Sequence, residues 1–400
     1  MSYTVHAALE IGTTRTVMAV GESESGGEIT ITSIAKIPST GIRKSVITDI
    51  DDATTGIKAI LKQIENESKK SGEPIDIANA FLVVNGQHIS ADQLSSTISI
   101  AGKKVTDEDI EEVIHNAHQL SPQGGERLGL DIIDQDYVVD QAGGILSPKG
   151  RSGHVLRLNV LSISGDKNKI QDAKTAADGA RLELRDPLFA CTCAAEAVLE
   201  DHEKKSGVLV LDLGGGSTGY AFYCDGYLVT AGSIGVGGDH VTSDLAHAFG
   251  ISNAQAETLK RKHASAIVSP EDADVRAVIE TTTPGVENRT VSGRAVNTVT
   301  SVRMKELIAM VRERLDSMGL LNRMHSGIVI TGGGAQLKDV DVLLQRELGA
   351  TVRVGKPIYV KGLEHEDFPA QFAAIAGALM YAHHNYEEHS FFDSLKGMFK

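Results

Sequence analysis

Hydrophobic and polar positions alternate in three successive stretches at the start of the chain, Val5 to Glu10, Val17 to Gly21 and Ile29 to Ile37, with glycine and serine between them. Period-two alternation broken by turn residues predicts an opening meander of strands. The period then lengthens. Ile50, Ile57, Ile60, Leu61 and Ile64 recur at helical spacing within Asp49 to Lys69, so an amphipathic helix follows, ended by the polar stretch Lys69-Lys70-Ser71-Gly72. Next come a strand at Ala80 to Val84, a short helix at Thr106 to Leu120 with a Thr106 to Asp109 capping signal, and strands near Tyr137 to Asp140 and Val155 to Ser164. This stretch reads as a small inserted domain, with Ser121 to Gly129 as an exposed loop.

Beyond it the pattern predicts helices at Lys167 to Gly179 and Thr192 to Glu203, then an apolar strand, Val208 to Leu213, that runs into Gly214-Gly215-Gly216. Helices are expected at Asp239 to Phe249 and Asn253 to Lys262, and a less ordered stretch at Ser269 to Gly293. Within Val299 to Met318 the residues Met304, Leu307, Ile308, Val311, Leu315 and Met318 share one helical face. A strand at Gly327 to Thr331 again ends in glycines, Gly332-Gly333-Gly334, and a helix is expected at Pro369 to Tyr381. Alternating strands and helices imply an α/β body.

The chain has 400 residues, more than one hydrophobic core usually serves, so two or more domains are expected. Its 39 basic against 53 acidic side chains leave a formal charge of -14, which argues against nucleic acid as a partner. The start, Met1 to His6, has no charged region followed by an apolar one, and no apolar run approaches the ~20 residues that span a bilayer. A cytosolic protein is expected. Cys191, Cys193 and Cys224 are too few for a disulfide framework and one short of a four-cysteine zinc site, so they read as reduced thiols.

Candidate chemistry lies in two strand endings that resemble one another, Ala8-Leu9-Glu10-Ile11-Gly12-Thr13-Thr14-Arg15 and Leu211-Asp212-Leu213-Gly214-Gly215-Gly216-Ser217-Thr218. Each sets an acid on an apolar strand, then glycine, then hydroxyls. Glycine lets backbone N–H groups close on phosphate oxygens, hydroxyls add donors, and the acid can hold Mg²⁺ through water. Either copy alone reads as a glycine turn between strands; two copies half a chain apart, with a third glycine cluster after another apolar strand, fit one nucleotide held between similar halves. No G-x-x-x-x-G-K-[ST] is present. Neither Gly235-Val236-Gly237-Gly238-Asp239-His240 nor Gly332-Gly333-Gly334-Ala335-Gln336-Leu337 completes a dinucleotide fingerprint.

These grips, the segment Ala194-Ala195-Glu196-Ala197-Val198-Leu199 and Ile330-Thr331-Gly332-Gly333-Gly334 resemble the phosphate, connecting and adenosine motifs of the actin and heat-shock-chaperone ATPase superfamily. Within it the chain resembles the FtsA family of bacterial cell-division proteins, through Ile234 to Leu245, Ala256-Glu257-Thr258-Leu259-Lys260, Gly41-Ile42-Arg43-Lys44 and Val84-Asn85-Gly86-Gln87-His88-Ile89. The resemblance implies an actin-like (ribonuclease H-like) α/β fold of two lobes around a nucleotide cleft. The first lobe core would comprise residues 1–83 and 165–205, and a strand-helix-strand (SHS2-type) domain would be inserted at 84–164. The second lobe core would comprise 206–245 and 325–381, with a last helix able to pack on the first lobe, and an outer subdomain at 246–324. A short linker and amphipathic helix would occupy 382–400.

The same resemblance implies ATP and Mg²⁺ as cofactors. Gly12, Thr13, Thr14 and Arg15 would face the terminal phosphates with Gly214, Gly215, Gly216, Ser217 and Thr218, and Gly237 and Gly238 would close beside them. Asp212 and Glu10 would hold Mg²⁺ through water. Glu257 and Lys260 would contact ribose and base, which would lie on the bare backbone of Gly332, Gly333 and Gly334; without the family, Glu257 and Lys260 read as a solvated pair on one helix. Glu196 would orient the attacking water, and as sequence it reads equally as a polar residue on a half-exposed helix. Glu10 stands where most of the superfamily has aspartate, and Gly219 where an aspartate commonly follows the second grip, so at most slow hydrolysis is expected.

The partners implied are the C-terminal tail of the tubulin-like division protein FtsZ, further copies of the chain in a filament, and other division proteins. Arg303, Lys305, Arg312 and Arg314 could meet acidic groups of such a tail, or form a solvated charged face. At the end of the chain Phe391, Phe392, Leu395, Met398 and Phe399 fall within an arc of about 120°, beside Lys396 and Lys400. That pattern suits a helix that forms on anionic membrane lipid, the alternative being a cap on the preceding core. His383, His384 and His389 read as exposed histidines. The expected role is an ATP-binding protein that polymerises on the cytoplasmic face of the inner membrane at the division site and tethers FtsZ there. A pilus or secretion scaffold of the same fold, or a small-molecule kinase of the superfamily, is the alternative.

Overall fold

The opening alternation becomes a three-stranded meander, β1 (Thr4–Ile11), β2 (Arg15–Ser23) and β3 (Ile29–Pro38), paired antiparallel with Leu9 opposite Met18 and Met18 opposite Ala35. The computed structural model of the chain describes residues 4–23, 28–71, 77–122, 124–279 and 288–384. A two-residue hairpin, β4 (Ile42–Arg43) and β5 (Val46–Ile47), precedes α1 (Ile50–Ser71), whose Ile57, Ile60 and Ile64 are buried in the first lobe's core. β6 (Asn79–Val84) then joins β1 in parallel.

The chain next leaves the first lobe and builds β7 (Ser90–Ser99), α2 (Asp107–His118), β8 (Arg127–Val139), β9 (Ala142–Ile145) and β10 (Val155–Asp166). Thr106 and Asp109 form the expected capping box on α2, whose Val113 and Ala117 pack on Leu156, Leu158 and Val160 of β10 in a small separate core. One strand is added to the sequence reading and one expectation is corrected. β7 is a strand although its sequence is largely polar, because most of its side chains stay in solvent. The supposed loop at Ser121 to Gly129 gives way to strand from Arg127, which runs on as one long strand through Tyr137.

α3 (Lys167–Gly179) returns to the first lobe and leads to β11 (Glu183–Phe189), parallel to β6, and to α4 (Ala190–Val198). The helix expected over Thr192 to Glu203 breaks at Leu199 and restarts as α5 (Asp201–Ser206) under its own Glu200 to Glu203 cap.

The second lobe repeats the first. β12 (Val208–Leu213), β13 (Thr218–Cys224) and β14 (Tyr227–Ile234) form an antiparallel meander, followed by α6 (Gly238–Phe249), α7 (Asn253–His263), β15 (Arg276–Ile279), β16 (Arg289–Ser292) and α8 (Gly293–Asp316). α8 starts well before the expected Val299, and part of the stretch read as less ordered pairs as β15 and β16. β17 (Ile328–Thr331), α9 (Val340–Leu348) and β18 (Val352–Val354) complete the lobe; β19 (Val360–Lys361) crosses back to pair with β3.

The sheet orders expose the repeat. The first sheet runs β11-β6-β1-β2-β3-β19, and the second begins β18-β17-β12-β13-β14, the same meander followed by two parallel strands. The second sheet then continues through β7-β10-β8-β9, so the inserted unit, which chain connectivity hangs on the first lobe, extends the sheet of the second. The join is the pair Gly232 and Ser90, supported by Gln135, which donates to the Leu228 carbonyl at 2.9 Å.

A turn at Pro369–Phe372 leads into α10 (residues 373–384), whose Ile375, Ala376, Ala378 and Leu379 are buried in the first lobe's core. Gly377 is needed at this crossing: a Cβ there would stand 1.8 Å from the Cys193 carbonyl oxygen. His383 is buried, not exposed, with Nδ1 at 3.0 Å from Ser23 Oγ; His389 lies outside the described residues.

Candidate functional site

The two strand endings fold alike. Gly12 N–H donates to the Arg15 carbonyl at 3.1 Å, and Gly214 N–H donates to the Ser217 carbonyl at 3.0 Å. In each turn a Cβ on the leading glycine would sit against that same carbonyl, at 2.8 Å in the first and 2.7 Å in the second. The cause is the same in both: closing the turn within four residues leaves no space for a side chain at its first position. The turns face one another across a cleft of about 880 Å³ lined by both, by Gly237 and Gly238 at the start of α6, and by Gly332 to Gly334 after β17. Gly237 packs on the carbonyls of Gly214 and Gly215, and Gly334 on Leu213.

Two acids lie at the base. Asp212 is buried on β12, and Glu10 lines the cleft at the end of β1. Burial pushes the Glu10 carboxyl up to about 7, helped by the charge of Asp212 and opposed by Arg15. Burial likewise raises Asp212 to about 6, against the pull of Arg15. Two carboxyls held out of water near each other and one guanidinium resist ionising together, and a hydrated divalent cation relieves that. Arg15 itself is held by Gln371, donating to its side-chain and main-chain oxygens, and its guanidinium lies 5.4 Å from the Phe372 ring centre.

At the other side of the α6 start, Glu257 and Lys260 on α7 are not the solvated pair that local sequence suggests. Lys260 Nζ donates to Glu257 at 2.6 Å, to Thr242 Oγ1 at 2.9 Å and to the Gly238 carbonyl at 3.0 Å. Glu257 also accepts from Thr242 at 2.6 Å and from Arg261 at 2.7 Å, and its cationic and hydroxyl neighbours hold its carboxyl below the usual range against the cost of burial. Both line the cleft, as do Gly12, Thr13, Thr14, Arg15, Gly214, Gly215, Ser217 and Thr218. Gly216 sits beneath Thr13 and Lys44, at the tip of the second turn.

Glu196 falls elsewhere. It does not line the cleft; its carboxylate accepts from Lys204 at 2.6 Å and from Tyr223 Oη at 3.3 Å, on the exposed side of α4. Its assignment to water activation is therefore corrected, because the helix register points it away from both turns. Gly219 has a local reason: a Cβ there would meet Cys191 Cβ at 2.7 Å, so α4 takes the space that a carboxylate would need. Arg303 is engaged by Asp244 through two bonds of 2.6 and 2.9 Å, and by Glu306. Phe391, Phe392, Leu395, Lys396, Met398, Phe399 and Lys400 lie outside the described residues.

Sequence reasoning gave no role to Asn85, Ser45, Asp239, Lys36 or Gln371, all of which line the cleft. The segments Gly41 to Lys44 and Val84 to Ile89 did carry the family resemblance, which was the available signal for Ser45 and Asn85.

Comparison with known proteins agrees with this architecture. A family model described as cell division protein FtsA matches residues 209–377, and one described as the SHS2 domain inserted in FtsA matches residues 86–164. Cell division protein FtsA of Escherichia coli strain K12 is 29% identical over 93% of this chain and 89% of its own length. That of Bacillus subtilis strain 168 is 29% identical over 89% and 79%. The chain belongs to the FtsA family.

Solved structures extend the fold relationship beyond FtsA. A PilM–PilN type IV pilus biogenesis complex superposes with a TM-score of 0.65 at 16% identity, covering 94% of this chain and 98% of that one. MreB5 of Spiroplasma citri bound to AMPPNP gives 0.53 at 15% identity, with 98% of each chain covered. The FtsA-family chain thus has the actin-like fold, with the SHS2 unit as its insert. Among the described residues no helix is long and apolar enough to cross a membrane.

Proposed function

We propose that this actin-like cell-division protein binds Mg-ATP between its lobes, assembles with further copies on the cytoplasmic face of the inner membrane, and tethers the FtsZ tail there. The observation that carries the nucleotide reading is the pair of identically closed turns facing across Glu10 and Asp212. The bound nucleotide would supply the anionic phosphates and the metal that such turns and acids suit.

In this reading Thr13, Thr14 and Ser217 donate to phosphate oxygens, while the Thr218 hydroxyl, which donates to the Val236 carbonyl at 2.8 Å, holds the second turn in place; Glu10 and Asp212 accept from the waters of Mg²⁺, and Arg15 offsets the remaining charge. Gly332 to Gly334 leave backbone bare for the adenine, with Lys260 and Glu257 at the ribose. Glu196 points away and Gly219 has no carboxylate, so turnover is slow and ATP acts as a ligand that favours one arrangement of the lobes. The family relationship supports FtsZ as partner, and the apolar arc of residues 391–399 supports anionic lipid.

Co-sedimentation with anionic vesicles and FtsZ, with and without Mg-ATP, tests this. The full chain should pellet with vesicles and carry FtsZ down; a chain ending at Glu388, and Phe392→Asp, should leave both in solution. Equal pelleting by all three would sink the membrane part. Capture of vesicles without FtsZ would sink the tether.

A further inference from the structure

The hairpin β4–β5 turns through Lys44 and Ser45 with φ of 50° and 60°. Both central residues of this two-residue loop are left-handed, an arrangement for which Asn-Gly is the usual sequence, yet neither is glycine. Strained backbone of this kind persists only where its surroundings fix it. Here the surroundings are the two phosphate grips. Ser45 N–H donates to Thr13 Oγ1 at 2.7 Å, and Ser45 Oγ lies 3.1 Å from Thr13 Oγ1 and 3.2 Å from Ser217 Oγ. Lys44 Cα is so close to the second turn that a Cβ on Gly216 would come within 2.8 Å of it.

One hydroxyl therefore joins a first-lobe grip to a second-lobe grip. Its place along the cleft is also defined. Gly332 and Gly334 pack against Asp212 and Leu213, at the start of the second turn, and Lys260 meets α6 at Gly238, which is bonded back to Gly214. Ser45 meets the same turn at its far end, Gly216 and Ser217. A nucleotide with its base toward Gly332 to Gly334 directs its last phosphate toward Ser45. Because Thr13 Oγ1 already accepts the Ser45 amide, its own proton is directed elsewhere, and each of the three hydroxyls has one proton to turn toward an anion between them.

We infer that Ser45 reads the terminal phosphate: it bridges Thr13 and Ser217 when no such phosphate lies between the grips, and donates to that phosphate in a nucleoside triphosphate. The inference rests on the nucleotide reading of the cleft. Calorimetric titration of the full chain, Ser45→Ala and Ser45→Gly with Mg-ATP and Mg-ADP tests it. Both variants should lose about tenfold in ATP affinity, the scale of one hydrogen bond to a charged group, and change ADP affinity by less than about twofold. Ser45→Gly relieves the left-handed backbone, so it keeps the experiment informative if Ser45→Ala folds poorly. Equal losses for both nucleotides, or none for either, overturn the role of Ser45 while the site stands. A wild-type chain that binds neither nucleotide overturns the site and this inference with it.

Discussion

Asn85 reaches Asp212, its Nδ2 standing 3.5 Å from Oδ2 of the buried carboxylate, while its own Oδ1 accepts from Ser233 at 3.2 Å. Asn85 is also the residue at which the chain leaves β6 for the insert, and two positions on Gln87 packs against Gly235. The candidate metal carboxylate is thus in contact with the root of the SHS2 unit.

Asn85→Ala should consequently separate nucleotide binding from the insert. Mg-ATP should slow hydrogen exchange in β7 of the wild-type chain, and this protection should largely disappear in the variant, with ATP affinity reduced no more than about tenfold. Unchanged nucleotide-dependent protection in Asn85→Ala would remove the residue from the connection.

The raised carboxyl of Glu10 has a definite pH consequence. Between its ordinary value of 4.5 and its folded value of about 7, the folded chain holds a proton that the unfolded chain has released. This group's stabilising contribution is present at the acid end and is lost as pH rises through the folded value. Denaturant titrations of wild type and Glu10→Gln at pH 5 and pH 8 should differ by on the order of 2 kcal/mol in how much stability each loses on going to the higher pH, the wild type losing more. Parallel losses would show that Glu10 is ionised throughout.

Asp212→Ala should weaken Mg-ATP binding by about tenfold or more, since water-mediated metal contacts to a buried carboxylate are lost. The apo protein should not be destabilised by an equal amount, because a desolvated, mutually repelling acid is removed. Titration with ATP in EDTA provides the control: wild type and variant should then converge. A gap of the same size without metal would assign Asp212 to the fold.

Gly377→Ala tests the crossing of α10 over α4. With the Cys193 carbonyl in the space a methyl would take, the helices must separate, and a loss of about 3 kcal/mol in unfolding free energy is expected. A loss below about 1 kcal/mol would mean that α10 does not sit against α4 in solution.

What could be read beforehand followed from chemistry that repeats in the chain. Val208 to Leu213 is wholly buried, so its apolar run and the glycines after it were visible, and the same held for β1 and its turn. β7 was missed because a largely solvated strand need not alternate, and the β4–β5 turn because Lys44-Ser45 lacks the glycine that usually marks such a loop. Glu196 was placed by resemblance alone; only the register of α4 shows which way it faces. The ion pair of Arg303 with Asp244 and the hydrogen bond from Thr242 to Glu257 each join one helix to another, information that no local pattern holds.

The continuation of the second lobe's sheet through Gly232 and Ser90 makes the insert a lever. Four strand steps separate β14 from β9, an arm of ~19 Å at the usual spacing between strands. A rotation of about 10° between the lobes at the cleft would carry the outer strand through ~3 Å, enough to make or break a packed contact at the tip. Because the arm's covalent roots lie in one lobe and its sheet belongs to the other, any small angular change between the lobes would become a displacement at the outer strand of the insert.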